Sequence, residues 1–226
     1  YKRQPTTLLM RPKVWLKVLS DYQITVTGGP NFSYKAIVNR VDDSAAKALN
    51  LDLSKLVVLY NGAEPIELSV MDAFSDRFKP YGFSRKAFLP CYGMAEATLI
   101  VSGIYPKDTY QAKSLCDQGK QYKEHALIND ITRESNSYVA CGSAVAGLEI
   151  RIRSNRTGEN VPLGEVGTVE IRGQSISPAY WSDKAIIPDC REQAWLNTGD
   201  LGFMDDYGQL YICGRTKDLI IVDGKN

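Results

Sequence analysis

The sequence predicts an α/β fold, part of a layered domain built on a parallel sheet, with a small β subdomain following it. Three observations predict it. Up to about residue 105, helix-spaced and strand-like segments alternate, the pattern of a parallel sheet with helical crossovers. From about residue 139, apolar and charged residues alternate in short runs separated by turns, as on half-buried strands. Between these regions, residues 106–138 are rich in Lys, Gln, Asp and Ser with weak periodicity, which is long for a loop and reads as an insertion.

Residues 12–20 open with proline, which suits a first helical turn, and Val14, Trp15, Val18 and Leu19 share one helical face. Residues 22–27 (YQITVT) are β-branched and aromatic, so a strand is expected, broken by Gly28-Gly29-Pro30. Residues 33–41 read as a helix with Ser33 as N-cap. KLVVLY at 55–60 is a short buried strand punctuated by Asn61-Gly62. Residues 66–79 return to helix, with Val70, Met71, Phe74 and Phe78 at helical spacing. Residues 86–91 are a further strand, followed by a short helix from Met94 to Thr98. In the later region Leu148, Ile150 and Ile152 alternate with charges, GTVEIRG repeats the pattern, and 209–213 is another strand. Turns fall at 157–160 and 205–208. The expected organisation is 1–105 as the α/β part, 106–138 as the insertion, 139–214 as the β subdomain and 215–226 as the start of a hinge.

Composition narrows the function. The chain of 226 residues is 44% hydrophobic and 23% charged, which suits a globular domain able to bury a core. Its net charge of +1 gives no electrostatic reason to expect nucleic acid or an anionic membrane surface. Apolar runs fall short of the roughly 20 residues of a membrane helix, so stable membrane insertion is not expected. The five cysteines form no CxxC pair, so reduced thiols in a cytoplasmic protein are expected. The single histidine, His125, argues against a histidine-based triad, lacks partners for a metal site and reads as a surface or loop residue.

Five stretches carry chemistry. Asn61-Gly62-Ala63-Glu64-Pro65 follows a strand, where a glycine lets a flat ligand approach the backbone; an ordinary strand-to-helix turn has the same composition. Tyr92-Gly93-Met94-Ala95-Glu96 also follows a strand, with a tyrosine able to stack on a purine and a glutamate able to hold Mg²⁺; a core tyrosine and a helix-start carboxylate would look alike. Gly167 to Gly173, continuing to Tyr180-Trp181, reads as scaffold. In Asn197-Thr198-Gly199-Asp200-Leu201-Gly202, an aspartate in a glycine turn can accept from both ribose hydroxyls, or simply make a tight turn. Gly214-Arg215-Thr216-Lys217-Asp218 offers a planar donor set, or a solvated charge cluster.

Taken in order, NGAEP, YGMAEAT, GTVEIRGQSISPAYW, NTGDLGF and GRTKDLIIVDG resemble the core motifs of the adenylate-forming superfamily, over about residues 22–226. TGGPNFSYKAIVNR (27–40), Ala95 before the motif glutamate, and the insertion at 106–138 resemble the fatty acyl-AMP ligases within it. The resemblance implies the middle section of an ATP- and Mg²⁺-dependent ligase: part of the layered N-terminal domain and its β subdomain. Such an enzyme activates a fatty acid to acyl-AMP, releases pyrophosphate and passes the acyl group to an acyl carrier protein. A long-chain acyl-CoA synthetase and a non-catalytic nucleotide-binding module of the same fold are the alternatives.

By the same resemblance, Gly62, Ala63 and Glu64 border the adenine, Tyr92 stacks on it with Gly93, Met94 and Ala95 alongside, and Ile212 lines it from the β side. Asp200 grips the ribose hydroxyls, Arg215 adds a donor, Glu96 serves Mg²⁺, and Lys217 stands at the hinge. Gly28, Gly29, Asn31 and Phe32 contribute to the acyl pocket. Gly28 to Tyr34 holds no carboxylate to pair with an ammonium, which disfavours an amino-acid substrate. The family's phosphate loop and catalytic lysine are expected outside these 226 residues, which would leave them inactive alone.

Overall fold

The computed structural model describes residues 10–104, 110–115, 128–129, 137–177, 179–181, 186–188 and 195–216. They fall into two compact units, one comprising the chain up to Pro90 with Ile104–Gln111, the other Cys91–Gly103 and the residues from Ala112 on. Lys217 and most of the expected insertion lie outside the described residues. No helix among the described residues is long and apolar enough to cross a membrane.

The first unit opens with helix α1 (Pro12–Asp21), whose buried stripe is Pro12, Leu16, Leu19 and Ser20. The expected stripe of Val14, Trp15, Val18 and Leu19 is thus rotated: Leu16 takes the centre, in step with Pro12 and Leu19 at helical spacing. The chain turns at Tyr22 and Gln23, where φ is 49° at Gln23, so strand β1 is Val26–Gly29 rather than 22–27. The two glycines belong to that strand. A Cβ on Gly28 would lie 2.3 Å from the Tyr60 ring, so a neighbouring side chain, not a chain break, requires glycine here. Helix α2 (Asn31–Arg40) begins two residues before the expected cap: Pro30 is N-cap and Ser33 lies inside the first turn. Helix α3 (Asp43–Ala48), unforeseen, is capped by Asp42, which accepts from the Ala45 N–H at 2.7 Å.

Strand β2 (Val58–Asn61) pairs in parallel with β1, from Val26 opposite Val58 to Gly29 opposite Asn61. Helix α4 (Leu68–Phe78) buries Val70, Met71, Phe74 and Phe78, the face its sequence spacing predicts. Strand β3 (Phe88–Gly93) pairs in parallel with β2 through Phe88, Leu89 and Pro90. The core is aromatic: Phe74 packs edge-on to Tyr34, Phe83 and Phe88 with ring centroids 5.1–5.6 Å apart, a favourable geometry for rings. Arg77 of α4 donates to the carbonyls of Val38 and Val41, fastening α4 to the end of α2.

The second unit is built from antiparallel strands. The end of β3 pairs with β4 (Ile100–Gly103). Strand β5 (Ala112–Leu115) sits between β6 (Ile128–Asn129) and β7 (Ser137–Val139), and β8 (Ser143–Ala144) pairs with β4. A four-stranded sheet follows, built from β9 (Leu148–Arg153), β10 (Gly167–Gly173), β13 (Leu196–Met204) and β14 (Leu210–Arg215) in the order β14-β13-β10-β9. Strands β11 (Ala179–Trp181) and β12 (Ile186–Pro188) form a separate pair. Ala140, Val166, Phe203 and Tyr211 make a core cluster, in which the Phe203 and Tyr211 rings stack at 4.6 Å.

Candidate active site

In the first unit, Asn61-Gly62-Ala63-Glu64-Pro65 leaves the end of β2 and folds against the start of α2. Ala63 has φ of 68°, the left-handed region that costs an alanine roughly 1–2 kcal/mol. Hydrogen bonds to Asn31 and Phe32 hold the loop in place, among them the Asn31 amide donating to Glu67 Oε1 at 3.2 Å. The Phe32 N–H donates to Glu64 Oε1 at 2.5 Å, the Glu67 N–H donates to Asn31 Oδ1 at 3.1 Å, and the Asn61 amide donates to the same oxygen at 3.4 Å. Glu64 therefore does the work that a side-chain cap on α2 would do, satisfying one of its otherwise unpaired first-turn N–H groups. Asn31 is only 2% exposed and fully engaged in this tie, whereas the Phe32 ring is 45% exposed. The segment from Gly28 to Tyr34 carries no carboxylate of its own, but the fold brings the Glu64 carboxylate to it and occupies that group with a backbone N–H.

In the second unit, four of the quoted motifs meet. Tyr92 lies near the end of β3 and is 9% exposed. Its hydroxyl donates to Asp200 Oδ2 at 2.5 Å, and Arg215 Nε donates to Asp200 Oδ1 at 2.8 Å. Asp200 and Arg215 face each other across the β13–β14 ladder. The expected glycine turn around Asp200 is instead a bulge inside a nine-residue strand. The β10–β13 register shifts between Thr168 and Glu170, opposite this stretch, and φ is 74° at Gly199. Such bulges re-aim side chains. Local bonds of a turn survive within it: the Gly199 N–H donates to Asn197 Oδ1 at 2.9 Å. Thr198 of the same motif, whose hydroxyl marks it as a local hydrogen-bonding residue, fixes the bulge. Its hydroxyl donates to the Val169 carbonyl at 2.8 Å and accepts the Asp200 N–H at 3.1 Å.

Gly93 admits no side chain, since its Cβ would lie 1.9 Å from the Leu99 carbonyl oxygen. The expected helix from Met94 to Thr98 is a single 3-10 turn, Ala95–Ala97. Glu96 is half-buried there; its carbonyl accepts the Ser177 N–H at 2.6 Å, and the Thr98 hydroxyl donates to the Ser175 carbonyl at 3.0 Å. GTVEIRGQSIS thus buttresses YGMAEAT, a role its reading as scaffold anticipated only in kind. Ile212 lies half-buried on β14, and its N–H faces the Cys141 thiol.

Burial, with the Asp200 carboxylate next in effect, pushes the Tyr92 phenol well above its ordinary range, so it stays a donor at working pH. Burial likewise pushes the Cys141 and Cys213 thiols up to about 12. No group of three or more His, Cys, Asp or Glu residues among the described residues is placed to hold a metal. Mg²⁺ bound with a nucleotide needs only one or two protein carboxylates, and Glu96, half-buried in this turn, can supply one.

This buried carboxylate, held by a tyrosine and an arginine beside a glycine-tight turn, has acceptor sites left for vicinal hydroxyls, and comparison with known proteins gives the family. Residues 2–181 match the family of AMP-binding enzymes, and the chain belongs to it. It is 33% identical over its whole length to the medium-chain-fatty-acid acyl-carrier-protein ligase JamA of Moorena producens (strain JHB), covering 39% of that protein. It is 32% identical over 98% of its length to the long-chain-fatty-acid–AMP ligase FadD26 of Mycobacterium marinum, covering 39% of it. The structure of the L. pneumophila fatty acyl-adenylate ligase, in complex with acyl adenylate and pyrophosphate, superposes with a TM-score of 0.83 at 34% identity. That match covers 96% of this chain and 38% of the other. The chain therefore spans well under half the length of the relatives it matches. The superfamily resemblance read from the five motifs, and the α/β class, stand.

Proposed function

We propose that the protein activates a fatty acid with ATP, forming acyl-AMP and releasing pyrophosphate, and that it hands the acyl group to an acyl carrier protein. The observation that carries this reading is the meeting of Tyr92, Asp200 and Arg215 in one hydrogen-bonded group, in a chain whose relatives are named fatty acyl-AMP and acyl-carrier-protein ligases.

On this reading, Asp200 accepts from the ribose hydroxyls with the lone pairs that Tyr92 and Arg215 leave open, since a carboxylate offers about four acceptor sites. Arg215 adds a donor, the Tyr92 ring stacks on the adenine beside Gly93, Met94 and Ala95, and Ile212 closes the β side. Gly62 and Ala63 border the base through their main chain. Glu64 shapes that loop, because its carboxylate is taken by Phe32. Gly28, Gly29 and the Phe32 ring face the acyl chain, while Asn31 holds their loop from behind. Glu96 serves Mg²⁺, whose bound chemistry is charge neutralisation on the phosphates. Lys217 marks the hinge.

The fatty acid carboxylate is already ionised at neutral pH, so this chain need supply no general base. One carboxylate oxygen bonds to the ATP α-phosphorus, and the bond from that phosphorus to pyrophosphate breaks. The residues here contribute position and charge complementarity. The test is to incubate the full-length protein with ATP, Mg²⁺, a medium-chain fatty acid, coenzyme A and a holo acyl carrier protein, then separate the products. Acyl-AMP and acylated carrier without acyl-CoA are expected. Acyl-CoA formed at turnover rates would make the protein an acyl-CoA synthetase, and no acyl product with any acid would remove the catalytic reading.

A further inference from the structure

Tyr92 carries a function that stacking does not explain. A stacking ring needs only its face, yet the hydroxyl of Tyr92 is directed at Asp200 Oδ2 at 2.5 Å. The carboxylate is then held at both oxygens, from β3 by Tyr92 and from β14 by Arg215, while Thr198 fixes its main chain from the bulge. These restraints differ in kind. The Arg215 side chain is 62% exposed and long, so in water it restrains the carboxylate weakly. Tyr92 is 9% exposed and has only two side-chain torsions to fix.

We propose that the Tyr92 hydroxyl is a positioning group for Asp200: it sets the rotation of the carboxylate so that its free lone pairs meet two neighbouring ribose hydroxyls, and so makes the protein discriminate a ribonucleotide from one lacking them. The inference rests on the reading of Asp200 as the ribose group. Without the hydroxyl, the carboxylate is free to turn about its own bond toward Arg215, and its contact with a vicinal diol loses definition. The high proton affinity that burial and Asp200 impose on the phenol keeps this donor available throughout the neutral range.

The test uses the full-length protein and compares kcat/KM for ATP and for 2′,3′-dideoxy-ATP, in the wild type and in Tyr92→Phe, which keeps the ring. The wild type should prefer ATP strongly. Tyr92→Phe should lose roughly tenfold of that preference, its KM rising more for ATP than for the dideoxy nucleotide. A Tyr92→Phe enzyme with undiminished preference overturns the inference. A wild type with no preference instead removes the ribose reading of Asp200 on which it rests. A double-mutant cycle keeps the question decidable if Tyr92→Phe lowers stability. With Asp200→Ala as background, adding Tyr92→Phe should change kcat/KM for ATP no further; a full, additive loss would mean that Tyr92 acts independently of Asp200.

Discussion

Asp205→Asn should destabilise the hairpin that carries Asp200 and Arg215, by an amount that depends on pH. Asp205 stands in the turn between β13 and β14 with its side chain 1% exposed. Oδ1 accepts the N–H groups of Tyr207 and Gln209, each at 3.0 Å, and Oδ2 accepts the Tyr211 hydroxyl at 3.0 Å and pairs with Lys113 at 3.2 Å. An asparagine can keep the two backbone bonds through its oxygen. Its NH₂ group then replaces Oδ2, so it meets the Lys113 ammonium donor to donor. A hydrogen bond to a charged group is worth about 1.5–3 kcal/mol, and the Lys113 side chain, 19% exposed, is left largely out of water with its partner gone. The expected cost is about 2–3 kcal/mol at neutral pH, or roughly 4–12 °C in Tm for a domain of this size. Burial pushes the Asp205 carboxyl up, but bonds from Gln209, Lys113, Tyr211 and Tyr207 outweigh it and hold the group below its ordinary value. A depressed folded-state value means that the stabilisation is full above the unfolded value of about 3.9 and is lost as pH falls through the folded one. Thermal unfolding of the full-length wild type and variant should therefore show a gap at neutral pH that narrows as the pH drops below about 4. Melting temperatures within about 1 °C of each other at neutral pH, or a gap unchanged in acid, would refute the reasoning.

Other expectations follow from single contacts. Asn31→Ala removes the acceptor shared by the Glu67 N–H and the Asn61 amide and should cost about 1–3 kcal/mol in urea unfolding. Gly93→Ala sets a methyl group 1.9 Å from the Leu99 carbonyl oxygen; it should displace the turn that carries Glu96 and lower kcat/KM by at least about tenfold in the pyrophosphate-release assay. Cys141 and Cys213, both pushed up to about 12 by burial, should resist iodoacetamide in the native protein at mildly alkaline pH and be labelled in urea, read by peptide mass spectrometry.

The parts of this fold that sequence made legible are those set by local pattern. The buried face of α4 repeats at helical spacing and emerged as expected, as did the β10 strand in GTVEIRG. What failed was decided by partners distant in sequence. Ser33 has the chemistry of an N-cap, but α2 starts at Asn31, and Glu64 from another loop serves its first turn. Gly28-Gly29 looks like a strand break until Tyr60 of the adjacent strand is beside it. NTGDLG has turn composition and does make turn bonds, yet pairing with β10 and β14 on either side holds it as a bulged strand.

The candidate site shows the same division more sharply. Tyr92, Asp200 and Arg215 were each recognisable from their motifs, but the bond between Tyr92 and Asp200 joins residues 108 positions apart. No local spacing rule reaches across that interval. The consequence is chemical. A motif tyrosine read alone is an aromatic surface, replaceable by phenylalanine at little cost. The same tyrosine bonded to the Asp200 carboxylate cannot be replaced in that way without releasing one oxygen of a second residue. The order of the motifs along the chain identified the family, whereas the contacts among them decide which side chains act together, and therefore which substitutions should fail to be additive.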